Sequence, residues 1–294
     1  MQIWSVLFAA AWLASGSAPL PSQQLPHPPA QPLTLPLWPA GTPGPANTTE
    51  AEHDTTKPSD QLIAGRPLSR LTAISQPSLA FYPAPASTNT GAAVIVFPGG
   101  GYRILAYDLE GTEVCTWLNA SGINCILVKY RVPETGRFPA NPQDLEDAQQ
   151  AIRITRSHAS EWRLDPHRTG VLGFSAGAHL AVALSTNSGY RPTDLPPSTH
   201  IDTGISARPD FALVIYPGYL AENPTLDKLS DGIQPTADTP PTFVVQAEDD
   251  PVHVENALVY YQALKAAKVP AELHVFAQGG HGYGLRPTDL PVTH

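Results

Sequence analysis

Gly173-Phe174-Ser175-Ala176-Gly177 sets a hydroxyl between two glycines. An apolar run (Thr169–Phe174) precedes it and a small, apolar helical pattern (176–184) follows. A sharp strand-to-helix turn of this kind lifts its serine above the end of a sheet and needs small neighbours on both sides. The bland alternative is a glycine-lined junction with a structural serine. A serine hydroxyl is a weak nucleophile near neutral pH, so it requires a base, and the base requires an orienting acid. Two later loops offer both. Glu248-Asp249-Asp250-Pro251 follows the apolar run Thr242–Ala247, and Gly279-Gly280-His281-Gly282 follows Leu273–Phe276. His281 is the expected base, because its glycines let the loop fold over Ser175; His274 lies inside a strand and His253 opens a helix. Asp250, stopped by Pro251, is the expected acid in preference to Asp249, with Glu248 last. An oxyanion needs backbone donors aimed at it. Pro98-Gly99-Gly100-Gly101-Tyr102 follows the run Ala92–Phe97, so the expected donors are Ala176 N–H and either Gly100 or Gly101 N–H. The glycine run is no phosphate loop, since no Lys-Ser/Thr follows and no GxGxxG occurs. The ten histidines show no metal-ligand spacing, and no metal is expected. The chemistry these residues serve is acyl transfer through a serine.

The elements that must position them follow from periodicity. Apolar runs at Leu79–Tyr82, Ala92–Phe97, Ile123–Tyr130, Thr169–Phe174, Phe211–Tyr216, Thr242–Ala247 and Leu273–Phe276 read as strands, the later ones covered on both faces. Between them lie amphipathic helices. One opens at Asn141-Pro142-Gln143-Asp144 and turns Leu145, Ala148 and Ile152 to one side; another does so with Val254, Ala257, Leu258, Tyr261 and Leu264. Strands alternating with helices predict one α/β domain with a mainly parallel sheet and helices on both faces. The 25 residues of Pro217–Pro241 leave no room for a large cap domain, so the cleft is expected to be open.

Of 294 residues, 33 are proline and 15% are charged, and the net charge is -9. That balance gives no basic footprint for nucleic acid. Eleven of the prolines fall in the first 60 residues, and no charged side chain precedes Glu50. The apolar stretch Ile3–Ala14, followed by Ser15-Gly16-Ser17-Ala18, predicts a cleaved signal peptide over 1–18. It is too short for stable membrane insertion, so a secreted or periplasmic protein is expected. Residues 19–36 read as a Pro-rich disordered leader, and 37–294 as the domain. Cys115 and Cys125 form either a disulfide or two buried thiols.

With these parts in order, the chain resembles the α/β-hydrolase superfamily, and within it bacterial esterases of the acetylxylan and feruloyl esterase (BD-FAE) type. The resemblance rests on Pro98–Tyr102, Lys129-Tyr130-Arg131, Leu145-Glu146-Asp147-Ala148, Gly173–Gly177, Arg208-Pro209-Asp210-Phe211, Glu248–Pro251 and Gly280-His281-Gly282, and runs from about Leu37 to the end. It implies a serine carboxylic-ester hydrolase that removes acetyl or feruloyl-type groups from plant polysaccharide such as xylan, without metal or organic cofactor. Tyr102 and Tyr283 flank the site in sequence, and either stack on sugar or aryl rings as substrate-binding residues or simply pack. Two departures stand out. Ala178 replaces the glycine usual after Ser-Ala-Gly, and only 13 residues follow His281 where relatives continue into a closing helix. That helix is missing here, or another element covers the face. A serine peptidase on the same fold and a non-catalytic carbohydrate-binding relative are the competing functions; the oligomeric state is left open.

Overall fold

The computed structural model describes residues 32–192, 201–222 and 225–293. The expected signal peptide and most of the expected leader lie outside them. In chain order the elements are β1 (Leu33–Pro36), β2 (His53–Asp54), β3 (Arg70–Thr72), β4 (Ser78–Tyr82), β5 (Ala93–Phe97), β6 (Leu105–Ala106), α1 (Glu113–Ala120), β7 (Asn124–Lys129), α2 (Gln143–Ser157), α3 (Ala159–Trp162), β8 (Thr169–Phe174), α4 (Ala176–Thr186), β9 (Ala212–Ile215), β10 (Thr242–Ala247), α5 (Glu255–Ala266) and β11 (Ala271–Phe276). Eight strands form one sheet in the order β1-β4-β7-β5-β8-β9-β10-β11. Pairing is antiparallel at β1–β4 and β4–β7 and parallel from β7 onward. This is the α/β-hydrolase architecture.

Each predicted strand is present, with ends shifted by a residue or two. The boundary at residue 37 needs correction. Leu33–Pro36, assigned to the disordered leader, pairs with Phe81–Ser78 as an edge strand of the sheet. Proline is tolerated there because an edge strand need not donate from both sides. A second sheet, β2-β3-β6, also escaped prediction; strands of two or three residues carry no periodicity to read.

The sheet is covered on two faces. Val114, Cys115 and Leu118 of α1 pack on Val94, Val96, Leu127 and Phe174. Leu145, Ala148 and Ile152 of α2, with Leu180 of α4, pack on Ile95, Phe97, Ile126 and Val128. The stripe expected on α5 is rotated. Ala257, Tyr260 and Leu264 are buried, Leu258 is exposed, and Asn256 turns inward to accept the N–H groups of Leu220 and Ala221. Cys115 and Cys125 form a disulfide between α1 and β7. Among the described residues no α-helix follows β11; a short turn at Pro291–Thr293 brings Val292 against the cluster around Tyr216 and Tyr283. No helix among them is long and apolar enough to cross a membrane.

Chain order reverses at β5, whose neighbours are β7 on one side and β8 on the other. In an open parallel sheet such a reversal opens a crevice beyond the carboxyl ends of the strands. The glycine run after β5 and Ser175 after β8 both lie there.

Candidate active site

Ser175 sits between β8 and α4 with φ 52° and ψ −115°, a backbone conformation that costs energy in a non-glycine residue. The turn closes because its neighbours lack side chains. A Cβ at Gly173 would stand 2.0 Å from the Gly177 carbonyl oxygen, and one at Gly177 would stand 2.1 Å from that of Phe97. The strained turn presents Ser175 Oγ 2.8 Å from His281 Nε2, and His281 Nδ1 lies 2.8 Å from Asp250 Oδ2. A carboxylate only accepts, so Nδ1 carries the proton, and Nε2 accepts the Ser175 hydroxyl. Asp250 is buried and is held further by Gln246 Nε2 at 3.0 Å and Val252 N–H at 2.7 Å.

Glu248 is exposed, whereas Asp249 Oδ1 accepts the N–H groups of Gly279 and Gly280 at 2.9 and 2.8 Å. Asp249 therefore anchors the loop that carries His281. Of the other histidines, His274 is exposed and paired with Glu272 at 2.6 Å. His179 is buried beneath the site. Burial, with help from the Arg137 charge, pushes its pKa down to about 3 and keeps it neutral.

After β5, Gly100 has φ +131°, and a Cβ there would meet the Ile104 carbonyl oxygen at 2.1 Å. Only glycine fits. Among the described residues neither Gly100 N–H nor Gly101 N–H donates to a protein acceptor, and both residues line the cleft beside Ser175. Ala176 opens α4, where the first N–H groups have no intrahelical partner.

The cleft holds about 500 Å³ and is walled by Ile63, Leu68, Ile104, Leu109, Tyr219 and Val252 around Ser175 and His281. Tyr102 and Tyr283, expected to bind substrate, require correction. Tyr102 is 1% exposed, and its hydroxyl bonds His179 Nδ1 at 2.7 Å. Tyr283 is buried with its ring 4.5 Å from that of Tyr216. Both are drawn into the core behind the loops, and neither lines the cleft. Tyr219 takes the aromatic position instead. The cue was available: Pro217-Gly218-Tyr219 follows β9 at the same edge of the sheet as Ser175. Ile63 and Leu68 come from the aperiodic segment around the small sheet and left no signal.

Glu110, also missed, is buried under the glycine run. Its Oε2 accepts Gly99 N–H at 2.7 Å and its Oε1 accepts the Tyr216 hydroxyl at 2.8 Å. Burial pushes its carboxyl pKa up, and those two hydrogen bonds offset part of the rise. The motif residues Arg131 and Asp147 lie elsewhere. They form a buried pair between β7 and α2, capped by Trp38 Nε1 donating to Asp147 at 2.7 Å.

Comparison with known proteins places this geometry. The BD-FAE family model matches residues 79–217, and a model described as alpha/beta hydrolase fold matches 213–285. The solved acetyl ester-xyloside bifunctional hydrolase from Caldicellulosiruptor lactoaceticus is 31% identical, with a TM-score of 0.64 over 89% of this chain and 92% of that one. The chain belongs to the α/β-hydrolase family. Among curated relatives, an acetylxylan esterase of Xylanibacter ruminicola is 31% identical over 221 residues, or 67% of this chain. An endo-1,4-beta-xylanase B of Butyrivibrio fibrisolvens is 31% identical over 207 residues. The chain spans 42% and 32% of the lengths of those two relatives.

Proposed function

We propose that this α/β-hydrolase is an exported serine carboxylic-ester hydrolase acting on acyl groups carried by xylan or a similar polysaccharide. The observation that carries the reading is the unbroken line Asp250–His281–Ser175 at the mouth of an apolar cleft. In this mechanism Ser175 Oγ attacks the ester carbonyl while His281 Nε2 takes its proton. Negative charge develops on the carbonyl oxygen and is met by the N–H groups of Ala176 and of Gly100 or Gly101. Collapse returns the proton from His281 to the departing sugar alkoxide and leaves an acyl-Ser175. Water, deprotonated by His281, then releases the acid and restores the serine. Asp250 holds the imidazole in the tautomer that accepts from Ser175 and balances the imidazolium.

The xylan-related names of the relatives support the polysaccharide substrate. So does the link between β9 and β10, in which no helix covers the cleft among the described residues. The apolar walls accept either a small acetyl group or a planar aryl-propenoyl chain. Export is supported by the Cys115–Cys125 disulfide, a bond that persists in oxidising compartments, and by the apolar start of the chain.

The test is product release from acetylated xylan and from methyl ferulate, with an aminoacyl amide run in parallel. Acetate or ferulate released by the wild type and not by Ser175→Ala is the expected result. Preferential cleavage of the amide would replace this reading by a peptidase, and polysaccharide retention without release would replace it by a binding module.

A further inference from the structure

Among the described residues that line the cleft, one buried ionisable group has no part in the hydrolytic steps. Glu110 lies in the wide helical turn Asp108–Thr112 ahead of α1, is 3% exposed, and lines the cleft. Among the described residues no guanidinium or ammonium pairs with its carboxyl group, and its two hydrogen-bond partners are Gly99 N–H and the Tyr216 hydroxyl. A buried carboxylate held only by neutral donors is expensive, so its place next to the nucleophile calls for a reason. Each donor leads to a different half of the site. Gly99 precedes the two glycines that line the cleft, Gly100 and Gly101. A Cβ on Gly99 would stand 2.8 Å from Glu110 Oε2 and 2.8 Å from Ser175 Cβ, so carboxylate and nucleophile flank the same backbone atom. Tyr216 packs its ring 5.0 Å from that of His281 at 65°, and its oxygen accepts Gly284 N–H at 3.2 Å, three residues beyond the histidine.

We propose that Glu110 is a positioning residue that aims both halves of the site at once: the oxyanion loop through Gly99, and His281 through Tyr216. This rests on the ester-hydrolase reading and extends it. Gln, Ala and Phe substitutions separate the two arms. A glutamine at 110 has one acceptor oxygen. Turned toward Gly99 it keeps the loop, while its amide N–H faces the Tyr216 oxygen and leaves the phenol proton without its acceptor. Tyr216→Phe removes the histidine arm alone, and Glu110→Ala removes both.

The experiment measures kcat and KM on p-nitrophenyl acetate, together with inhibition by butylboronic acid. That probe adds the Ser175 oxygen to boron and so mimics the tetrahedral state. Glu110→Ala should lower kcat by about 100-fold, the scale of losing one oxyanion donor, and weaken the boronate in parallel while KM moves less than about twofold. Glu110→Gln and Tyr216→Phe should each fall by about 10-fold, the glutamine thus rescuing part of the alanine loss. Folded Glu110→Ala or Glu110→Gln enzyme with kcat within twofold of wild type overturns the proposal. So does a loss confined to KM with boronate affinity unchanged. Should Glu110→Ala fail to fold, Glu110→Gln and Tyr216→Phe decide by the same criteria. Ser175→Ala run alongside separates the two claims. If it keeps turnover the ester-hydrolase reading fails; if it is inactive while Glu110→Gln is normal, only the role of Glu110 fails.

Discussion

Asp147 and Asp250 are both buried carboxylates, each gripped by several donors and each paired with a nitrogen base. Asp147 accepts Arg131 Nε at 2.9 Å, Arg131 Nη2 at 2.9 Å, the Arg131 backbone N–H at 3.0 Å and Trp38 Nε1 at 2.7 Å. Asp250 accepts His281 Nδ1, Gln246 and Val252. What separates them is the partner and the place. Arg131 is always charged and is wedged between β7 and α2, away from the cleft, so that pair only holds elements together. His281 takes up and gives back a proton in the proposed mechanism, rides on a loop beyond β11, and reaches the cleft. Burial and pairing alone therefore do not mark a site. A titratable partner beyond the carboxyl end of a parallel strand does.

Neutralising each acid separates the two roles. Asp250→Asn should lower kcat by about 10⁴-fold with the melting temperature nearly unchanged, since the imidazole loses its orienting acceptor but little packing. Asp147→Asn should do the reverse. It leaves Arg131 buried and short of charge, which costs about 3–5 kcal/mol in urea unfolding, while turnover per folded molecule stays within about threefold. A large kcat loss in Asp147→Asn at normal stability would contradict the distinction. Asp249→Ala probes the loop that carries His281, which this acid holds through Gly279 and Gly280. Its kcat should drop by about 10-fold and its KM little, as expected when a reacting group is only loosened. Tyr219→Ala should change the ratio of long-acyl to acetyl ester kcat/KM by roughly 10-fold, the scale of altered apolar contact in a pocket. Tyr102→Phe is the smallest: about 1 kcal/mol of stability for the hydrogen bond to His179, and no change in acyl preference.

Much of the fold is legible in the sequence, for a physical reason. Strands buried on both faces are continuous apolar runs, and the residues that follow them must gather at one edge of the sheet. That rule points to Ser175, Asp250 and His281, whose side chains the structure brings together, and Tyr219 obeys it too. The rule is blind to groups that come from between the strands. Glu110 sits in a helical turn where an acid reads as solvent-facing, and only its contacts with Gly99 and Tyr216 show otherwise. Leu33–Pro36 looked like leader because local composition outweighed a pairing partner more than forty residues away. Tyr102 looked like a ligand platform because it follows the glycine run. Its positive φ of 59° instead turns it inward, onto His179. Motif residues also mislead when read as chemistry. Asp210, part of the family pattern, holds Arg156 and the Thr169 N–H and stays away from the cleft.

The proposed mechanism depends on Ser175 being a nucleophile activated by His281. A fluorophosphonate probe, which traps only an activated serine, measures this directly when the modified peptide is located by mass spectrometry. A single adduct on Ser175 is predicted, formed at least about 100-fold more slowly in His281→Ala. An enzyme that hydrolyses acetate esters while Ser175 stays unmodified, or that carries the adduct on another serine, would contradict it.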